Sequence, residues 1–143
     1  MTKNITTQII INTPPEKVWN TLVNTDSYSL WNPFIKKIEG VFKIGNTITV
    51  TIQKNKSSKM VFKPIILNYV KNELLIWKGK LLFKGIFDGE HFFKLIDNNN
   101  GTCTFIHGEI FSGFLIKYFD LSNTKQGFEL MNNALKVYCE QKA

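Results

Sequence analysis

Ile86-Phe87-Asp88-Gly89-Glu90-His91-Phe92-Phe93-Lys94-Leu95-Ile96, then Asp97-Asn98-Asn99-Asn100-Gly101, then Thr102-Cys103-Thr104-Phe105-Ile106-His107-Gly108-Glu109-Ile110-Phe111, is the stretch that decides the fold. Two runs rich in aromatic and β-branched residues flank a polar cluster ending in Gly, the pattern of a β-hairpin. Side chains alternate faces along a strand. Phe87, Gly89, His91, Phe93 and Leu95 therefore share one face, and Cys103, Phe105, His107, Glu109 and Phe111 share one face of the return strand. The phenylalanines mark both as inward. With residues 97–101 as the loop, Ile96 is expected opposite Thr102, which sets Phe93 opposite Phe105, His91 opposite His107 and Gly89 opposite Glu109. The chain has only two histidines, and this register makes them cross-strand neighbours.

Strand-like segments also occupy residues 34–42, 47–52, 59–70 and 73–82. Pro64 interrupts the third of these and predicts a bulge or an edge, since Pro cannot donate to a ladder. Residues 5–12 read as an opening strand. Thr13-Pro14-Pro15-Glu16 reads as a helix start with a capping Thr13, followed by Val18, Trp19, Leu22 and Val23 at helical spacing. A second short helix runs through Tyr28 and Leu30 and stops before Pro33. Near the C-terminus, Phe128, Met131, Leu135 and Tyr138 recur every three or four residues over 125–141, with Asn132 and Cys139 close to the same stripe. The order is one strand, two short helices, six strands and a long helix. Short turns imply antiparallel neighbours, so the expected class is α+β: a curved seven-stranded antiparallel sheet around the C-terminal helix, in one domain over residues 1–143. One helix cannot fill the concave side of such a sheet, and the remaining space is expected to form a ligand cavity.

Composition fits this reading. The 143 residues are 43% hydrophobic and 20% charged, which suits a packed globular chain, and 12 are Phe. All 18 basic residues are Lys, giving a net charge of +7. Without Arg, the side chain best shaped for bidentate contact with guanine or phosphate, specific nucleic-acid binding is not expected. No apolar run is long enough for a transmembrane helix, and the N-terminus lacks a signal-peptide pattern, so a cytoplasmic protein is expected. Cys103 and Cys139 are too far apart in sequence for a CxxC metal motif and are expected to be reduced, buried thiols.

Several stretches resemble the START-like helix-grip superfamily, also called SRPBCC, in its polyketide cyclase/dehydrase-type branch of small bacterial proteins. They are Ile11-Asn12-Thr13-Pro14-Pro15-Glu16-Lys17-Val18-Trp19, Tyr28-Ser29-Leu30-Trp31-Asn32-Pro33-Phe34, Gly85-Ile86-Phe87-Asp88-Gly89-Glu90-His91-Phe92-Phe93, His107-Gly108-Glu109 followed by Phe111-Ser112-Gly113, and Met131-Asn132-Asn133-Ala134-Leu135-Lys136. The resemblance implies a helix-grip fold. Its members include lipid and hormone binders, cyclases, dehydratases and co-chaperone activators, so fold alone leaves activity open.

Three readings of His91, His107 and Glu109 follow: an internal hydrogen-bond network, the polar pole of an apolar ligand pocket fixing a carbonyl or hydroxyl, or an acid–base site of cyclase or dehydratase type. Binding of a small hydrophobic or aromatic molecule, lipid or polyketide-like, is expected ahead of catalysis, with no cofactor and no metal. Expected pocket residues are Trp31, Phe34 and Trp77, the strand residues Phe87, His91, Phe93, Phe105, His107, Glu109 and Phe111, and the helix residues Phe128, Met131, Asn132 and Leu135. Residues 114–119 are a candidate lid. The lysine-rich surface leaves a protein-interaction or co-chaperone-like module, such as a chaperone cofactor or assembly factor, as a further alternative.

Overall fold

The computed structural model describes residues 2–55, 58–80, 88–113, 116–118 and 120–141. Phe87 and half of the candidate lid, residues 114, 115 and 119, lie outside the described residues.

The first strand, β1, spans Thr2–Ile11 and turns Ile5, Thr7 and Ile11 inward. Helix α1 follows at Pro15–Val23, burying Val18, Trp19 and Leu22. Its first residue is Pro15, whose missing N–H costs nothing in a first turn. The expected Thr13 cap does not form. Pro14 holds the cap position, no side chain caps the helix, and Thr13 is buried with its N–H on the Ile11 carbonyl at 2.9 Å. A 3₁₀ turn leads into α2, Tyr28–Trp31. Asn32 closes it: its Oδ1 accepts the N–H groups of Phe34 and Ile35, both at 2.8 Å, and turns the chain into β2.

The remaining strands are β2 (Ile35–Glu39), β3 (Thr49–Asn55), β4 (Ser58–Phe62), β5 (Ile65–Val70), β6 (Leu74–Lys80), β7 (Asp88–Asp97) and β8 (Cys103–Ser112). They form a five-stranded sheet in the order β1-β8-β7-β6-β5 and a three-stranded sheet β2-β3-β4. All pairings are antiparallel. The long strand expected over 59–70 is thus two strands, making eight in two sheets among the described residues rather than seven in one. Pro64 divides them, because it has no N–H to continue the ladder. It sits at the corner where the chain passes from one sheet to the other, and its carbonyl accepts the Ile48 N–H at 2.9 Å. A bridge between Thr47 and Ile65 also ties the sheets together.

Helix α3 spans Ser122–Gln141 and begins earlier than the apolar stripe suggests, because Asp120 Oδ1 accepts the Ser122 N–H at 3.0 Å. It packs chiefly on β1, and also on β8 and α1, through Phe128, Met131, Asn132, Leu135 and Cys139. Its last turns are tied to β1: Lys136 donates to the Ile10 carbonyl, and Glu140 accepts the Asn12 N–H, both at 2.9 Å. This is the α+β helix-grip arrangement, with antiparallel sheets, short helices after the first strand and a long terminal helix on the sheet. Among the described residues no helix is long and apolar enough to cross a membrane.

The β7–β8 register differs from the expected one by two residues. Asp97 pairs with Cys103, so Leu95 opposes Phe105, Phe93 opposes His107, His91 opposes Glu109 and Gly89 opposes Phe111. Loop chemistry explains the shift. Asp97 stays in the strand and its Oδ1 accepts the Asn99 N–H at 2.8 Å, which moves the turn centre one residue along the chain. Asn99 and Gly101 take the positive-φ positions, 60° and 84°. A two-residue shift keeps every side chain on its expected face.

Candidate functional site: a buried polar chain in an aromatic interior

Strand alternation on β1, β7 and β8, and one turn of α3, bring five polar side chains into an interior otherwise built of rings. His91 Nδ1 meets Glu109 Oε1 at 2.8 Å. His91 Nε2 meets His107 Nε2 at 2.9 Å, and His107 Nδ1 meets Asn132 Oδ1 at 2.8 Å. Asn132 Nδ2 donates to Thr7 Oγ1 at 2.8 Å, and Thr7 donates to the His107 carbonyl at 2.7 Å. The chain thus closes on the backbone of one of its own members.

Aromatic rings enclose it. Trp77 stacks on His91 with centroids 5.0 Å apart and planes 19° apart. Phe128 stacks on His107 at 4.2 Å and 16°, and meets His91 edge-on at 5.1 Å. Phe93 contacts both imidazoles, and Phe105 contacts His107. Phe34 meets Phe128 edge-on at 5.5 Å, and Gly127 of α3 makes the room, since a Cβ there would lie 2.7 Å from the Phe34 ring.

These surroundings set the protonation. Burial lowers His91 from its ordinary 6.5 to about 3, because the rings around it cannot solvate an imidazolium. His107 is also held well below 6.5, by burial first and by His91 second, against the opposing pull of Asn132 and the Phe128 backbone. Burial pushes Glu109 up from 4.5 to about 8. All three groups are therefore neutral at pH 7: two imidazoles and one carboxylic acid.

The structure brings together eight of the expected pocket residues: Trp77, His91, Phe93, Phe105, His107, Glu109, Phe128 and Asn132. Phe111 is buried beside them, opposite Gly89, while Met131 and Leu135 are fully buried along α3. Trp31 stands apart; its ring contacts are Tyr28 and Tyr138, and its Nε1–H donates to Ser27 Oγ at 3.1 Å. Thr7 was not expected. Its signal was its place on the inward face of β1, one hydroxyl among isoleucines. A groove of about 300 Å³ opens over Phe34, Gly127 and Leu130, so Phe34 separates this groove from Phe128 and the imidazoles.

Both His91 nitrogens and His107 Nδ1 are engaged in the chain. Among the described residues no three His, Cys, Asp or Glu side chains converge as a metal set. Glu109 is the link nearest solvent, its side chain 17% exposed against 5% for His91. Its Oε2 makes no hydrogen bond among the described residues and stands over Gly89, where a Cβ would overlap it.

Residues 12–140 match the family described as Activator of Hsp90 ATPase homolog 1-like protein. The chain belongs to that family. Several solved structures share its fold. A START superfamily protein from Mycobacterium smegmatis is 13% identical with a TM-score of 0.74, over 98% of this chain and 99% of its own. The Zhui aromatase/cyclase from a Streptomyces species is 10% identical with a TM-score of 0.72, over 99% and 96%. A norcoclaurine synthase from Thalictrum, in complex with a transition-state analogue, is 11% identical with a TM-score of 0.71, over 100% and 98%. At such identities the likeness is one of fold. The polyketide cyclase branch enters only through a distant structural neighbour, whereas the sequence itself falls with the Hsp90 ATPase activator-like family. No match was found among curated proteins.

Proposed function

We propose that this member of the Hsp90 ATPase activator-like family binds a small, largely apolar, aromatic molecule in the grip between sheet and α3, with Glu109 and His91 as its polar pole. The observation that supports this most directly is the half-enclosed Glu109 carboxyl, its side chain 17% exposed, raised to about 8 by desolvation and carrying an oxygen without a hydrogen bond among the described residues. Burying a carboxyl in apolar surroundings is costly unless its bonding capacity is used. A ligand group would use it. Phe34, between the outer groove and Phe128, is the side chain whose rotation would admit a ring. Trp77, Phe93, Phe105 and Phe111 supply apolar surface.

Tight binding to the folded state raises stability by about 2.7 kcal/mol at a hundredfold excess over Kd. Fatty acids, sterols, flavonoids and polyketide-like aromatics, tested by thermal unfolding and native mass spectrometry, should yield one class that raises Tm by several degrees as a 1:1 adduct. A panel with no shift and no adduct overturns the proposal.

A second reading is acid–base catalysis of cyclase or dehydratase type by Glu109, His91 and His107. It is favoured by a carboxylic acid that stays protonated at neutral pH beside a neutral imidazole, the state a general acid requires. Turnover of a bound aromatic polyketide mimic, lost in Glu109→Ala with binding retained, separates it from binding alone.

A further inference from the structure

The polar chain has a direction, fixed from its inner end. The His107 carbonyl can only accept. Thr7 has one hydroxyl hydrogen and gives it to that carbonyl, so Thr7 Oγ1 accepts from Asn132, and the amide nitrogen of Asn132 faces Thr7. The amide oxygen then faces His107 Nδ1, which must carry a hydrogen. A neutral His107 has a bare Nε2, so His91 Nε2 must donate to it. A neutral His91 in turn has a bare Nδ1, and the contact with Glu109 Oε1 requires one proton between them. That proton sits on the carboxyl or on the imidazole. In either case it occupies the Oε1 side, and Oε2 is left as a pure acceptor.

We propose that Glu109 Oε2 is the docking atom for a ligand hydroxyl, so that the site selects a neutral aromatic alcohol, a phenol or naphthol, over a carbonyl compound, an ether or a carboxylate. This rests on the reading that the grip binds a small aromatic molecule, and it names the ligand's one polar group. An ether or ketone brings lone pairs against the lone pairs of Oε2. A carboxylate adds a negative charge where burial already disfavours one on Glu109. A hydrocarbon leaves Oε2 without a donor. A site built around one hydrogen bond rejects analogues that cannot make it more strongly than it rejects analogues of different size. Gly89 belongs to the same design. It stands beside the carboxyl where any larger residue would displace Oε2, while the overlap involves only the end of the Glu109 side chain.

The test is calorimetric titration of the intact chain with 2-naphthol, naphthalene, 2-methoxynaphthalene and 2-naphthoate. The expected result is that 2-naphthol binds at least roughly tenfold more tightly than the other three, the size of effect set by an acceptor that the ligand itself covers and leaves without a donor. Glu109→Gln should keep that preference, because the amide N–H₂ replaces the carboxyl proton toward His91 Nδ1 and again leaves an oxygen outward. Glu109→Leu should bind naphthalene and lose the preference. Equal affinity for 2-naphthol, naphthalene and 2-methoxynaphthalene overturns the hydroxyl assignment and leaves aromatic binding standing. Failure of all four to bind overturns both. Loss of the preference in a folded Glu109→Gln also overturns the assignment, since that variant preserves the outward acceptor.

Discussion

His91 and Glu109 face each other directly across β7 and β8, with Nδ1 and Oε1 2.8 Å apart. They share one proton, and both are shifted toward neutrality: the acid up to about 8, the imidazole down to about 3. A surface pair of the same composition would shift the other way, each ion stabilising its partner. Enclosure by Trp77, Phe93 and Phe128 reverses the outcome, because the rings offer no solvation to either ion.

Stability should therefore peak near pH 6.5. Glu109 has a folded value above its unfolded 4.5, so its contribution is complete below 4.5 and is lost as pH rises toward about 8. His91 and His107 have folded values below their unfolded 6.5, so their contribution is complete above 6.5 and is lost as pH falls. Between 6.5 and 8 the folded chain holds part of a proton that the unfolded chain has released, a falling slope below the one-proton limit of roughly 1.4 kcal/mol per pH unit. Urea unfolding from pH 5 to 9 should show both arms in the wild type, whereas Glu109→Gln should keep the acid arm below 6.5 and lose the alkaline one. Identical profiles between 6.5 and 8 would refute the neutral acid.

Thr7→Val is nearly isosteric and removes only the hydroxyl. Asn132 Nδ2 and the His107 carbonyl are then left buried without their partner, at a cost of about 1–3 kcal/mol. Thr7→Ser keeps the hydroxyl and gives up a methyl, at about 1 kcal/mol. Equilibrium denaturation should rank Val below Ser; the opposite order would mean that Thr7 acts by packing alone.

Phe128→Ala removes the ring that covers both imidazoles. A loss of roughly 3–5 kcal/mol is expected for a buried aromatic. The sharper readout is NMR titration: His91 should move up from about 3 toward 6.5 as water reaches it. An unchanged His91 in a folded variant would show that Phe128 is not what desolvates it.

Gly127→Ala should improve intrinsic helix propensity by about 1 kcal/mol yet lower stability. The new Cβ would lie 2.7 Å from the buried Phe34 ring, which would have to shift to make room. Overpacking of this kind costs about 1–3 kcal/mol. A net gain in Tm would indicate that Phe34 swings aside easily, and its conformation should then differ in a crystal structure of the variant.

The sequence by itself determined the sorting of residues into faces. Alternation along 86–96 and 102–111 put both histidines, Glu109 and the phenylalanines on one side, and helical spacing put Phe128 and Asn132 on one stripe. These are local consequences of backbone geometry, needing no knowledge of neighbours. The pairing of strands was not local. It depended on an Asx turn at Asp97 that displaced the register by two residues and gave His91 the partner Glu109 rather than His107. Thr7, which closes the chain from 100 residues away, was not read from the sequence, because a strand pattern names a face but no partner at that distance. The protonation state and the direction of the hydrogen bonds belonged to the tertiary structure alone. Both follow from which atoms lie within 3 Å of one another and from how many rings surround them, and a sequence contains no distances.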